Sequence, residues 1–198
     1  MSKKEYCDRC ICTNVAIVYN DIPYCLNCTS NLNLNEFFEG HVAVKLYDNY
    51  EPPTQILDNI YIGNLKSVDK YELFKLGIDN IVICGRGLKN LNHDGFNNLH
   101  LILDDIMTQE IIPHVEIVNK FLDLNRNKKT LIHCRSGMSR SGSILIGYLM
   151  HKFKYDYDTA FQFVQEKYSR VHPNSGFEDQ LRMWKKSTNL KRKRSASR

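Results

Sequence analysis

The sequence predicts an α/β fold, a central mixed sheet flanked by helices, preceded by a small cysteine-rich module. Three observations predict it. Short apolar runs alternate with helical stripes from about residue 60 onward, Pro52 and Pro53 mark a boundary before them, and five of the seven cysteines fall before residue 32. In order, Ile60, Tyr61, Ile62 and Gly63 read as a strand, 67–76 as a helix stopped by Gly77, and 79–84 as an apolar strand. Leu99, Leu101 and Leu103 alternate as a half-buried strand over 99–103. A helix over 113–125 follows, with Pro113 in its first turn and Ile117, Val118, Phe121 and Leu122 as its stripe. Then come a strand at 130–133 and helices near 141–152, 157–168 and 176–186. No internal repeat is visible. The expected domains are a module at 1–32, a connecting segment at 33–53, a catalytic region at 54–186 and a basic tail at 187–198. The connecting segment, with Phe37, Phe38, Val42, Val44, Leu46 and Tyr47, is too apolar for a free linker.

Composition excludes several classes. No run approaches eighteen apolar residues and no secretory pattern opens the chain, so the expectation is an intracellular protein without a membrane span, cytoplasmic and with a candidate nuclear address. In a reducing compartment, cysteines serve metal ligation and catalysis better than disulfides. The net charge of +5 belongs to the C-terminus: Lys185, Lys186, Lys191, Arg192, Lys193, Arg194 and Arg198 supply seven positives with no acid among them, leaving −2 before them.

The residues that carry chemistry run from His133 to Ser141. A buried strand of Thr130, Leu131 and Ile132 leads into them, and the stripe of Ile144, Leu145, Tyr148 and Leu149 follows, so they form a loop that ends at a helix N-terminus. Unpaired amides and the helix dipole there attract an anion, and Gly137 lets the loop curl into a nest around it. Cys134 opens the loop, where the same field favours its thiolate, the form that acts as a nucleophile. Arg140 closes it and can grip two phosphoryl oxygens at once with a planar guanidinium. Ser141 follows, placed to stabilise the sulfur when it leaves a phosphocysteine. Arg135, Ser136, Gly137, Met138 and Ser139, with Arg140, are the candidate phosphate-binding residues, and His133 orients the loop by hydrogen bonds.

This stretch resembles the signature loop of the protein tyrosine phosphatase superfamily, and its Gly-x-Ser-Arg-Ser ending resembles the dual-specificity branch. The similarity extends through Ile60 to Gly63, Gly77 to Ile83, Tyr148 to Met150, and Asn174, Gly176, Phe177, Gln180 and Leu181, over about residues 54–186. It implies a phosphatase-like α/β domain that removes phosphate from tyrosine, serine and threonine through a phosphocysteine intermediate, with no cofactor for catalysis. Phosphorylated proteins are the implied partners. The resemblance also implies a general acid on a loop after a strand, some thirty residues before the cysteine. Asp104 and Asp105 are the candidates; the family pattern favours the second, and strand alternation sends the two carboxylates to different sides. Relatives in the superfamily act on RNA 5′ ends or phosphoinositides, and a phosphate-reading scaffold without turnover is the non-enzymatic alternative. Arg135 as the sole added charge in the loop, and the intact set of Cys134, Arg140, Ser141 and Asp105, favour a protein phosphatase.

Outside that region, Cys7 and Cys10 form one C-x-x-C and Cys25 and Cys28 a second. Paired knuckles at this spacing suit a tetrahedral structural zinc, with Val15 to Tyr19 and the Asn20, Asp21 turn as a hairpin between them. Cys12 is a spare that could replace Cys10, and a redox C-x-x-C is the rival reading. Cys84 lies in an apolar run as a core residue, with a second reading as a resolving thiol for Cys134. The tail reads as disordered beyond about residue 187, either a solvated extension, a nuclear address or a contact for nucleic acid or acidic partners.

Overall fold

The computed structural model describes residues 17–19, 22–24, 50–88 and 95–184. The chain divides into two compact units, Met1–Tyr50 and Glu51–Arg198, and the division falls beside the Pro52, Pro53 pair. In the first unit, β1 (Ile17–Tyr19) and β2 (Ile22–Tyr24) pair antiparallel with Ile17 opposite Tyr24. This hairpin falls in sequence between the two cysteine pairs, as expected. Cys7, Cys10, Cys12, Cys25 and Cys28, most of the connecting segment, and the tail lie outside the described residues.

The second unit is built on five strands: β3 (Thr54–Leu57), β4 (Ile60–Gly63), β5 (Ile78–Cys84), β6 (Asn97–Leu101) and β7 (Lys129–His133). Their order across the sheet is β3-β4-β7-β5-β6. Only β3 is antiparallel to its neighbour, so the sheet is mixed. The helices are α1 (Lys70–Lys75), α2 (Ile112–Leu124), α3 (Arg140–Phe153), α4 (Tyr157–Lys167) and α5, over 175–184.

Strand alternation divides the core between the two faces of the sheet. Ile60, Ile62, Val82, Cys84, Ile132 and Cys134 bury one face with side chains of α2, α3, α4 and α5, among them Val115, Leu145, Val164 and Phe177. Tyr61, Ile81, Ile83 and Leu131 bury the other with Val68, Leu73 and Phe96. Because both faces are covered, β7 and β5 are buried almost throughout rather than at alternate residues. Every residue of α3 from Ser141 to Met150 is buried, which makes it the central helix against the sheet.

The strand expected over 99–103 lies two residues earlier, at Asn97–Leu101, and two further elements differ from expectation. The helix expected over 67–76 is a 3-10 turn, Leu65–Ser67, followed by α1. Asn64 caps the first, accepting from the amides of Lys66 at 2.7 Å and Ser67 at 3.2 Å, and Asp69 caps the second, accepting from Glu72 at 2.9 Å. Two caps five residues apart start two elements. The strand β3 was not expected, because only Ile56 of its four residues is fully buried and alternation is invisible over so short an edge.

Candidate active site

Strand β7 ends at His133, and the next residue starts a loop that returns to the sheet axis as α3. Cys134 is fully buried at the bottom of that loop. Its sulfur accepts the amide N–H of Gly137 at 3.2 Å and the hydroxyl of Ser141 at 3.2 Å. Both donors stabilise negative charge on sulfur. Gly137 has φ +75°, and a Cβ there would lie 2.3 Å from the Tyr168 hydroxyl and 3.0 Å from the Gly63 carbonyl oxygen. No larger residue fits without displacing the loop.

The loop is braced from outside. Leu65 donates its amide to the Arg135 carbonyl at 3.1 Å, and His172 donates to that of Met138 at 3.2 Å. Arg170 reaches the Ser136 carbonyl at 3.5 Å and pairs with Glu51, which also accepts from Asn64 at 2.5 Å and Lys66 at 3.1 Å. The ammonium of Lys66, the amide of Asn64 and the guanidinium of Arg170 together hold the Glu51 carboxyl below the usual glutamate range. Buried His133 has Nδ1 3.4 Å from the Cys134 carbonyl oxygen, at the start of the loop. Arg135 and Met138 are exposed at the mouth, Ser136 is half-buried and Ser139 is buried.

Arg140 opens α3 and is 12% exposed. Its Nε is a buried donor that makes no hydrogen bond among the described residues; the nearest carboxylate oxygen, Asp105 Oδ2, is 3.5 Å away. A buried guanidinium N–H left open is costly unless a ligand is to take it. The two consecutive aspartates diverge. Asp105 faces Arg140, whereas Asp104 accepts from Arg86 Nε at 3.2 Å and Nη2 at 3.1 Å. Asp104 raises the Arg86 guanidinium above its ordinary value. Asp105 also accepts the Ser139 hydroxyl at 2.6 Å and the Asn174 side-chain amide at 2.9 Å.

The structure thus brings together Cys134, Gly137, Ser139, Arg140, Ser141 and Asp105. The Cys134 sulfur, the Arg140 guanidinium and the Asp105 carboxyl group lie beyond the C-terminal end of the parallel strand β7. Sequence reasoning placed Asn174 in the family resemblance without a role in the site, and missed Arg170 and Glu51. Asn174 carried a local signal, an Asn at the start of a helix, but its contact with a residue 69 positions earlier carried none.

A strand ending in a cysteine loop that wraps an open arginine, with a carboxylate opposite, defines a cysteine-dependent phosphatase. The family model for the dual specificity phosphatase catalytic domain matches residues 60–187. A protein of Invertebrate iridescent virus 6, provisionally named tyrosine phosphatase 123R, is 32% identical over 143 residues, 69% of this chain and 96% of that protein. Mouse protein phosphatase Slingshot homolog 1 is 30% identical over 83% of this chain, which spans only 16% of that relative. Among solved structures, the human tyrosine phosphatase-like serine/threonine/tyrosine-interacting protein superposes with a TM-score of 0.63 at 30% identity, covering 70% of this chain and 97% of that one. The chain belongs to the dual-specificity phosphatase family of the cysteine-based protein tyrosine phosphatase superfamily, and it is a protein phosphatase. Among the described residues, no helix is long and apolar enough to cross a membrane.

Proposed function

We propose that the chain dephosphorylates phosphotyrosine and phosphoserine or phosphothreonine in proteins, with Cys134 as nucleophile, Arg140 as phosphate ligand, Asp105 as general acid and base, and Ser141 as the group that eases departure of the sulfur. The observation that carries it is the buried Cys134 sulfur, with two donors at 3.2 Å, in the same loop as an Arg140 Nε that makes no hydrogen bond among the described residues. The thiolate attacks phosphorus while Arg140 and the loop amides hold the equatorial oxygens. Asp105 gives its proton to the departing alkoxide or phenoxide oxygen, and the P–O bond breaks as the S–P bond forms. Asp105, now ionised, takes a proton from water, whose oxygen attacks phosphorus. The sulfur leaves as thiolate with the Ser141 hydroxyl against it, and inorganic phosphate departs. Phosphopeptides, RNA 5′ ends and phosphoinositides assayed side by side test the substrate class. Turnover of phosphotyrosine and phosphothreonine peptides at rates well above the other two is expected, and the reverse order would reassign it.

The cysteine module supports a second part of the proposal: one structural zinc held by Cys7, Cys10, Cys25 and Cys28, since so short a segment needs a metal to fold. Metal analysis of the full chain should give about one zinc, lost on Cys25→Ser with Cys28→Ser. For the tail, the cluster Lys191 to Arg194 supports a nuclear address or contact with nucleic acid. Deleting 188–198 should move a tagged protein out of the nucleus of an otherwise intracellular pool; an unchanged distribution removes the address.

A further inference from the structure

Ser139 is the N-cap of α3, yet its hydroxyl makes no bond to that helix. A serine there ordinarily accepts from an amide of the first turn. This one accepts the backbone N–H of Asn174 at 3.1 Å and stands 2.6 Å from Asp105 Oδ1. Since Asn174 supplies the hydrogen on its own side, the hydroxyl hydrogen of Ser139 goes to Asp105. Asn174 is oriented in the same way. Its Oδ1 accepts the amide of Phe177 at 3.0 Å, capping α5, and this turns Nδ2 toward the same Asp105 oxygen at 2.9 Å. Two donors with directions set by backbone amides therefore occupy both lone pairs of Asp105 Oδ1. A carboxyl proton can sit only on Oδ2, the oxygen that faces Arg140.

The rest of the acid loop is docked on the same helix. A Cβ on Gly176 would lie 2.0 Å from the Met107 carbonyl oxygen, so only glycine allows this approach. Gln180 donates to the Gln109 carbonyl at 2.9 Å and accepts the Ile111 amide at 2.9 Å.

We propose that Ser139 and Asn174 are positioning residues that anchor Asp105 by Oδ1 and leave Oδ2 as the atom that gives and retrieves the proton, with α5 holding the acid in place before substrate arrives. The proposal rests on Asp105 as the general acid. Asp105 Oδ2–H passes its proton to the leaving oxygen in the first step and regains one from water in the second, while Oδ1 keeps its two donors throughout.

Asn174→Ser separates positioning from folding, because serine still caps α5 but cannot reach Asp105. In the full chain, kcat on an unactivated aryl phosphate should fall about 10- to 100-fold, the loss of one hydrogen bond to a charged group, and on an activated aryl phosphate less than about 3-fold. Asn174→Asp, which keeps the capping oxygen and sets a carboxylate against Asp105, should show the same substrate dependence. It gives the reading if the serine variant melts early. Added to Asp105→Asn, Asn174→Ser should cost nothing further on the unactivated substrate, because both act through one carboxyl. Equal losses on both substrates, or losses that add in full to Asp105→Asn, overturn the positioning role while leaving Asp105 as the acid. An Asp105→Asn variant with no leaving-group dependence overturns the acid and the positioning role with it.

Discussion

Asp104 and Asp105 are consecutive, and each faces a different arginine: Asp104 binds the exposed Arg86 at 3.1 Å, and Asp105 lies 3.5 Å from the buried Nε of Arg140. The chain leaves β6 at Leu101, and burial still alternates beyond it, with Ile102 exposed and Leu103 buried, before the two aspartates take opposite sides. Asp105→Asn should lower kcat by about 10²- to 10⁴-fold on poor leaving groups and much less on an activated aryl phosphate. Asp104→Asn removes an exposed pair and should leave both rates within about 3-fold, since such pairs are worth little. Steady-state kinetics on the two substrates checks both; the opposite pattern would exchange their roles.

Ser141 donates to the Cys134 sulfur at 3.2 Å, and in the proposed mechanism this bond assists the sulfur most when it is the leaving group. Ser141→Ala should slow hydrolysis of the phosphoenzyme by about 10- to 100-fold, the worth of a hydrogen bond to a charged acceptor. Rapid-quench kinetics should then show a burst of the released alcohol followed by a slow steady state. A proportionate loss of burst rate and steady-state rate would place the hydroxyl in the first step instead.

The parallel register sets Ile83 beside His133 and therefore carries Cys84 next to Cys134, both buried on the same face of the sheet. Burial, and then the neighbouring Cys134 charge, push the Cys84 thiol well above its ordinary value. Peroxide would oxidise the Cys134 sulfur to a sulfenic acid; as the S–S bond to Cys84 forms, the Cys84 thiol proton would go to the departing hydroxyl and water would leave. Mass spectrometry after mild peroxide should find the Cys84–Cys134 crosslink and recovery of activity with dithiothreitol. Cys84→Ser should instead lose activity irreversibly; equal recovery in both would remove Cys84 from this role.

Glu51 is held low by Lys66, Asn64 and Arg170. A carboxyl lowered on folding contributes stability that is full above its unfolded value, about 4.3, and lost as pH falls through the folded one. The melting temperature of Glu51→Gln should lie below that of the wild type at pH 7, and the gap should close in acid. A gap that persists unchanged below pH 3 would assign the effect to packing.

Much of this was legible in the residues because local physics decided it. The strand, the curl at Gly137 and the stripe of α3 are neighbours in sequence, so period and loop spacing were enough for Cys134, Arg140 and Ser141. Leu99, Leu101 and Leu103 likewise pointed past the strand to the aspartates. What the pattern does not carry is contact at long range. Asn174 and Gln180 belong to a helix some 70 residues after the acid loop, and Glu51 reaches Arg170 across 119. The capping oxygens of Asn64 and Asp69 were visible at their spacing, and reading them would have split the helix expected over 67–76.

The most direct test of the account is acid-quench trapping of the phosphoenzyme from a ³²P-labelled phosphopeptide. The wild type should carry label on a peptide containing Cys134, and more of it in Ser141→Ala. Cys134→Ser should bind the phosphopeptide through Arg140 and the loop amides, carry no label and release no phosphate. Turnover by the purified Cys134→Ser protein, or label on any other residue, would contradict a covalent mechanism through Cys134.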